Sequence, residues 1–246
     1  MKKIRAFFKL FTPFEYVLLT GSALAIVLSF VLCGNRNYFN LAASLIGACS
    51  LILIAKGIAA GQILVIVFAA FYGAISYFNR YYGEMITYLG MTVPTAIVAL
   101  VSWLRHPYRD TAQVEVNRLP AWEYPVWIAA SAAVSVAFFF LLRALGNANL
   151  IWSTVSVFTS FVAACLAARR SPFYAVGYAL NDAVLIVLWT LAALTDRENA
   201  AMVVCFCVFL NNDGYGFLNW IKMKRMQSSA KPDEEKADRD SDTIKG

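Results

Sequence analysis

Apolar residues run along this chain in eight long blocks broken by short polar punctuation, covering 16–33, 41–55, 58–78, 83–104, 124–145, 150–168, 172–194 and 199–221. A helix crossing the hydrocarbon core of a bilayer needs about 20 mostly apolar residues, within a range of about 17–25. All blocks but the second reach that range, and 41–55 completes its length from the polar residues at its ends. The breaks are brief: Gly34-Asn35-Arg36-Asn37, Lys56-Gly57, Asn79-Arg80-Tyr81, Gly146-Asn147-Ala148-Asn149, Arg169-Arg170-Ser171 and Thr195-Asp196-Arg197-Glu198. Only Arg105 to Glu123 is long enough to be a substantial loop.

Spans 2–4 and 6–8 follow one plan. Each has an apolar helix, a tight basic turn (Lys56; Arg169-Arg170), a second helix, a short polar turn and a third helix ending in tryptophan, Trp103 or Trp220. The likeness lies in the pattern rather than in residue identity. A single helix, 124–145, separates the triplets. That odd linker restores orientation, so the two triplets run parallel, a common transporter design with substrate at the repeat interface near the midplane. The expected organisation is a cytoplasmic N-terminus and extra helix (1–36), a first repeat (37–104), a loop and linker helix (105–149), a second repeat (150–221) and a disordered cytoplasmic tail (222–246).

Composition agrees. Hydrophobic residues make up 60% of the chain, charged residues 15%, and mean hydropathy is +0.62. Soluble domains carry about 25% charged residues, so a water-exposed globule, a secreted disulfide scaffold and a disordered chain are excluded. With the N-terminus inside, 17 of the 21 lysines and arginines fall on the inner side. This asymmetry obeys the positive-inside rule for eight spans with both termini cytoplasmic. It also accounts for the net charge of +6 without nucleic acid. The first block exceeds the apolar region of a signal peptide, about 7–15 residues, and Leu32 is no small cleavage-site residue, so it reads as a retained anchor. The five cysteines lie in apolar stretches and the one histidine, His106, on the basic loop, so no metal or other cofactor is expected.

Polar residues inside the spans are therefore informative. Asp182 and Asp213 sit near the middles of neighbouring spans, with Asn181 beside the first and Asn211 and Asn212 beside the second. A central Asp costs about 2.5–3.5 kcal/mol on insertion scales. Intramembrane carboxylates usually line pathways, which favours a substrate site over the alternative, a hydrogen-bonded clamp between helices. Helical spacing puts Tyr178, Asn181, Leu185 and Trp189 on one stripe. In the first triplet the comparable face is Glu84, Tyr88, Thr92 and Thr95, with Gln62 and Tyr72 on the preceding span and Pro94 expected to kink its helix. Trp103 and Trp220, at span ends, are expected in the interfacial aromatic belt. Tyr178 and Trp189, which have amide neighbours, are the better ligand platforms. Gly214-Tyr215-Gly216 lacks the context of a potassium filter. With no Walker loop, metalloprotease motif or nucleophile elbow, ATP-driven pumping and hydrolysis have no visible machinery here. A membrane enzyme using Asp182 and Asp213 as acid and base is the alternative of another class.

The run Asn181-Asp182 through Trp189, the run Asn211-Asn212-Asp213-Gly214-Tyr215-Gly216 through Trp220, and the three-plus-one-plus-three plan together resemble the PnuC family over about residues 40–221. The resemblance implies a bacterial inner-membrane transporter of nicotinamide riboside, with relatives for thiamine and riboflavin, on a fold like that of the SWEET sugar transporters. It also implies a first helix without a direct role in transport, and accumulation driven by a cytosolic ribosylnicotinamide kinase. It leaves a homo-oligomer open. Nicotinamide riboside is a cationic, nucleoside-like vitamin. Its ring would suit Trp189, Tyr178 and Tyr72, its carboxamide Gln62, Asn181 and Asn212, and its ribose and charge Asp182 or Asp213. Thiamine, also cationic, would fit the same inventory.

Overall fold

The computed structural model describes residues 11–78, 85–109, 111–147 and 149–245. The basic N-terminal residues, the Asn79-Arg80-Tyr81 turn and Glu84 lie outside them. Eight long helices make up the described chain: α1 (Pro13–Cys33), α2 (Tyr38–Ala55), α3 (Ala60–Phe78), α4 (Val93–Arg105), α5 (Glu123–Ala144), α6 (Leu150–Ala168), α7 (Tyr174–Thr195) and α8 (Ala200–Lys245). Seven stretches are long and apolar enough to cross a membrane, and α3 adds a shorter apolar one. The protein is an all-α membrane protein with an extra first helix and a three-plus-one-plus-three core. The last helix does not stop at 221. It continues through Lys245, and its extension marks one end of the bundle, called the tail side below.

Local chemistry sets the helix ends. Thr12 and Glu15 form a reciprocal capping box at the start of α1, with Pro13 in the first turn. The turn after α2 passes through Gly57 at φ 69°, where an added Cβ would meet the Met223 Cε at 2.7 Å. The matching turn after α6 passes through Arg170 at φ 57°. Pro94 does not simply kink its span. A π-helical turn, Thr87–Thr92, precedes α4, and the Val93 N–H donates to the Tyr88 carbonyl five residues back. Widening the turn accommodates a residue that has no N–H to continue the ladder.

Packing repeats between the triplets. In each, the first helix packs on the second and the second on the third, while each third helix packs on the first helix of the other triplet: α4 on α6, α8 on α2. The first and second helices approach closely at equivalent glycines. A Cβ on Gly61 would lie 2.8 Å from the Ile54 nitrogen, and one on Gly177 would lie 2.9 Å from the Ala163 Cα. The basic turns are anchored alike. Lys56 pairs with Glu15 at the start of α1, and Arg169 pairs with Glu123 at the start of α5.

The first helix is thus more than an addition to the core. It packs against α2 and α8, its Glu15 also accepts from the Tyr215 hydroxyl at 2.7 Å, and its Ser22 donates to Asn212. The expected aromatic belt is also corrected. Trp103 and Trp220 are 1% and 0% exposed, at the centre of an apolar cluster with Ile54, Ala167, Tyr174 and Met223. Each indole finds its acceptor in a helix-end carbonyl of the other triplet, which removes the need for a headgroup partner.

Candidate functional site

Asp182 lies near the middle of α7, and Asp213 lies near the middle of the apolar part of α8. Both are buried, and their carboxyls come within hydrogen-bonding reach of each other. The two aspartates thus share one locality. Asp213 is close enough to act electrostatically on Tyr174 and Tyr178, and Asp182 acts on Cys205. Asn212, 1% exposed, holds the same level from the next position on α8. Its Oδ1 accepts from Ser22, while its Nδ2 and the Oδ2 atoms of both aspartates are buried without a hydrogen-bond partner. Buried polar atoms are nearly always paired. One amide donor and two carboxyl oxygens left over at one depth are the donor–acceptor set a polar ligand would use.

The remaining candidates divide. Asn181 is turned to α6, where its Oδ1 accepts from Ser156 at 2.9 Å and Thr159 at 3.0 Å. It acts as a clamp between the first two helices of its triplet. Thr92 and Thr95 donate to backbone carbonyls of their own helical segment. Asn211 is exposed on the outer face of α8, in a groove of about 390 Å³ against α1 lined by residues including Ser22, Cys207 and Val208. Gln62 is buried at the start of α3.

The aromatic candidates fall into two groups above and below the carboxyls. Tyr72 and Tyr88 are 4.6 Å apart between ring centroids, and Phe68 stands 5.6 and 5.9 Å from them. Trp189, only partly buried, packs from α7 on the wider apolar cluster that includes Tyr72, Met202, Cys205 and Phe206. Tyr178 instead joins Tyr174, Trp103 and Trp220 on the tail side. The stripe read along α7 is therefore split: its ends belong to different aromatic groups. Ser22 is the contributor that the sequence reading missed. It is one of many small polar residues in the chain, and its partner is 190 positions away.

Residues 37–222 match the nicotinamide mononucleotide transporter family. The chain belongs to that family. The transporter is 25% identical over 191 residues to the nicotinamide riboside transporter PnuC of Neisseria mucosa, covering 76% of this chain and 73% of that one. Its fold is similar to that in the crystal structure of the vitamin B3 transporter PnuC, with a TM-score of 0.76 and 24% identity over 88% of this chain and 94% of that chain. The match begins after α1, so the part of the transporter inside the family's bounds includes Asp182, Asn212 and Asp213 but not Ser22. Among the described residues no cluster of His, Cys, Asp or Glu has the geometry to hold a metal ion.

Proposed function

We propose that this transporter carries nicotinamide riboside into the cell by facilitated diffusion, with the two triplets alternately exposing a midplane site. Its termini face the cytoplasm of a bacterial inner membrane. Accumulation follows from phosphorylation of the riboside by a cytosolic kinase, which gives the product a charge the pathway rejects. The observation that carries this reading is the set of unpaired buried atoms on Asn212, Asp182 and Asp213. Tyr72 and Tyr88, in ring contact, and Trp189, packed on the wider apolar cluster that includes Tyr72, offer aromatic faces for a cationic ring.

Charge separates the riboside from its phosphate ester. A phosphate calls for lysine or arginine, yet no lysine or arginine stands in the middle of any span, where the two carboxyls do. A site with two acids and no base favours the unphosphorylated cation. Thiamine shares the cationic ring and is the main competitor.

The test is a binding panel on purified protein with nicotinamide riboside, nicotinamide mononucleotide, thiamine, riboflavin and glucose. The riboside is expected to raise the melting temperature most, and the mononucleotide little or not at all. A shift with thiamine and none with the riboside overturns the substrate. Uptake into proteoliposomes without an ion gradient is expected to equilibrate the riboside. A requirement for a proton gradient would refute facilitated diffusion.

A further inference from the structure

The tail-side end of the bundle carries an arrangement related by the internal repeat. Trp103 of the first triplet donates its indole N–H to the Ala167 carbonyl of the second at 2.8 Å, and Trp220 of the second donates to the Ile54 carbonyl of the first at 2.8 Å. The residue before each tryptophan repeats the crossing one carbonyl further on: Ser102 donates to Ala168 at 2.6 Å, and Asn219 donates to Ala55 at 2.8 Å. The two indoles touch, with ring centroids 5.3 Å apart, and Tyr174 packs on Trp220 at 4.9 Å. Four hydrogen bonds and one ring contact thus join the triplets. They lie on the tail side of Asp213, in the cluster that also holds Tyr174 and Tyr178, the two tyrosines close enough to feel its charge.

A second layer lies over the first. Residues 113–117 run extended across both basic turns. The Val114 N–H donates to the Gly57 carbonyl at 2.9 Å, and the Asn117 N–H donates to the Arg170 carbonyl at 3.0 Å. These acceptors are the equivalent left-handed residues of the two triplets. Gln227 on the extension of α8 holds the segment from both directions, accepting from the Val116 N–H at 2.8 Å and donating to the Val114 carbonyl at 3.1 Å. Val114 itself is buried against Met223 and the tryptophan cluster.

We propose that Trp103 and Trp220 form a two-fold-related latch closing the tail-side mouth of the transporter, bolted by residues 113–117 and Gln227. This rests on the carrier reading above. In that reading the triplets must part on the tail side during each cycle, and these crossed bonds are what parting would break. The chemistry suits a reversible closure. Each bond runs from a side-chain donor to a carbonyl in the last turn of a helix, beyond the regular ladder. Ile54 and Ala167 also accept the turn N–H of Gly57 and Arg170, so they keep a partner on opening and water can replace the side-chain donor.

The test places a cysteine at Ala175, a fully buried member of the tryptophan cluster. Its reaction with a charged, water-soluble methanethiosulfonate is followed at residue 175 by mass spectrometry, so the native thiols can stay. Trp103→Phe with Trp220→Phe keeps the rings and removes both donors. The labelling rate is expected to rise at least ten-fold, with a smaller rise for Gln227→Ala. Ser102→Ala with Asn219→Ala keeps both tryptophans and decides the matter if the first pair does not fold. Rates within two-fold of the parent, in variants whose melting shows them folded, overturn the latch. Riboside uptake by the parent separates the two readings. Faster labelling in variants of a parent that moves no substrate supports the closure and removes the carrier reading. Unmoved labelling beside intact uptake removes the latch alone.

Discussion

Lys56 Nζ lies 2.7 and 2.8 Å from the two carboxylate oxygens of Glu15, and the Glu15 side chain is 1% exposed. Its repeat counterpart, Arg169 with Glu123, is bidentate too, but the Arg169 side chain is 42% exposed. Burial makes the two pairs unequal in energy. Removing one partner of a fully buried pair strands a charge and costs about 3–5 kcal/mol, whereas Glu123, 11% exposed, faces an Arg169 that lies largely in solvent, so water can take the arginine's place at a smaller cost. Lys56→Met is therefore expected to destabilise the protein several-fold more than Arg169→Met in denaturant titrations. Adding Glu15→Leu to Lys56→Met should recover most of the loss. Equal costs for the two single variants would show that burial is not what distinguishes the pairs.

The two aspartates give a second expectation. Their carboxyls face each other, and Oδ2 on each lacks a donor. Asp182→Asn supplies a donor without changing size, so melting temperature is expected to rise by a few degrees, the scale of about 1 kcal/mol in a protein of this length. Affinity for a cationic ligand is expected to fall at least ten-fold, with a smaller effect on an uncharged analogue. A functional site commonly trades stability for activity in this way. Variants that lose stability and keep affinity would identify the pair as a structural clamp.

The amides should now separate, although their positions in the sequence looked alike. Asn181→Ala leaves the Ser156 hydroxyl without its acceptor, while the Thr159 hydroxyl returns to the Val155 or Ser156 carbonyl and no longer bridges the helices. Its effect is expected mainly on melting, at the scale of membrane interhelical bonds, about 0.6–1.7 kcal/mol. Asn212→Ala removes the unpaired Nδ2 and is expected to cost binding about 1–3 kcal/mol. The check is isothermal titration beside thermal melting for both variants. The opposite pattern would move the site from α8 to the α6–α7 interface.

The helix count and nearly every span end were legible in the sequence, because a span is a local property of some 20 residues. The pairing of Asp182 with Asp213 was readable too, from equal depth in adjacent helices. The long-range partners were hidden. An indole near a span end looks the same whether it faces headgroups or a carbonyl 64 or 166 residues away, as Trp103 and Trp220 do. The usable clue was the small polar residue before each tryptophan, Ser102 and Asn219, at the same place in both triplets. Thr95 shows the opposite limit: its hydroxyl returns to its own backbone, which periodicity does not show.

Close helix approach yields a further test. A methyl on Gly177 would stand 2.9 Å from both Cα and Cβ of Ala163, and neither atom can rotate away. Gly177→Ala is expected to cost about 1–3 kcal/mol by overpacking, despite the better helix propensity of alanine. Gly214→Ala, where nothing lies within 4 Å of the new methyl, should be neutral or slightly stabilising. A chemical-denaturation series on the two variants checks the contrast, and a harmless Gly177→Ala would refute the close packing of α6 on α7.

Trp189 and Trp103 allow the aromatic roles to be told apart by the kind of damage each variant does. Trp189 is partly buried against the apolar cluster that includes Tyr72, and no hydrogen bond from its indole is made among the described residues. Trp103 is fully packed and donates across the triplet interface. Leucine at 189 removes an aromatic face, worth about 0.5–2 kcal/mol to a desolvated cation, and leaves a site that already tolerates partial exposure. Affinity should therefore drop by up to about thirty-fold, with little change in melting. Leucine at 103 removes one of the two donors to the Ala167 carbonyl, leaving the Arg170 N–H, and opens a hole in a close-packed cluster, so stability should fall by about 3–5 kcal/mol, the scale of large core truncations. Riboside binding at a temperature where the protein is still folded should weaken less than for Trp189→Leu. If Trp103→Leu instead abolishes binding while melting stays unchanged, the tail-side cluster itself is the ligand platform, and the site lies below the aspartates rather than above them.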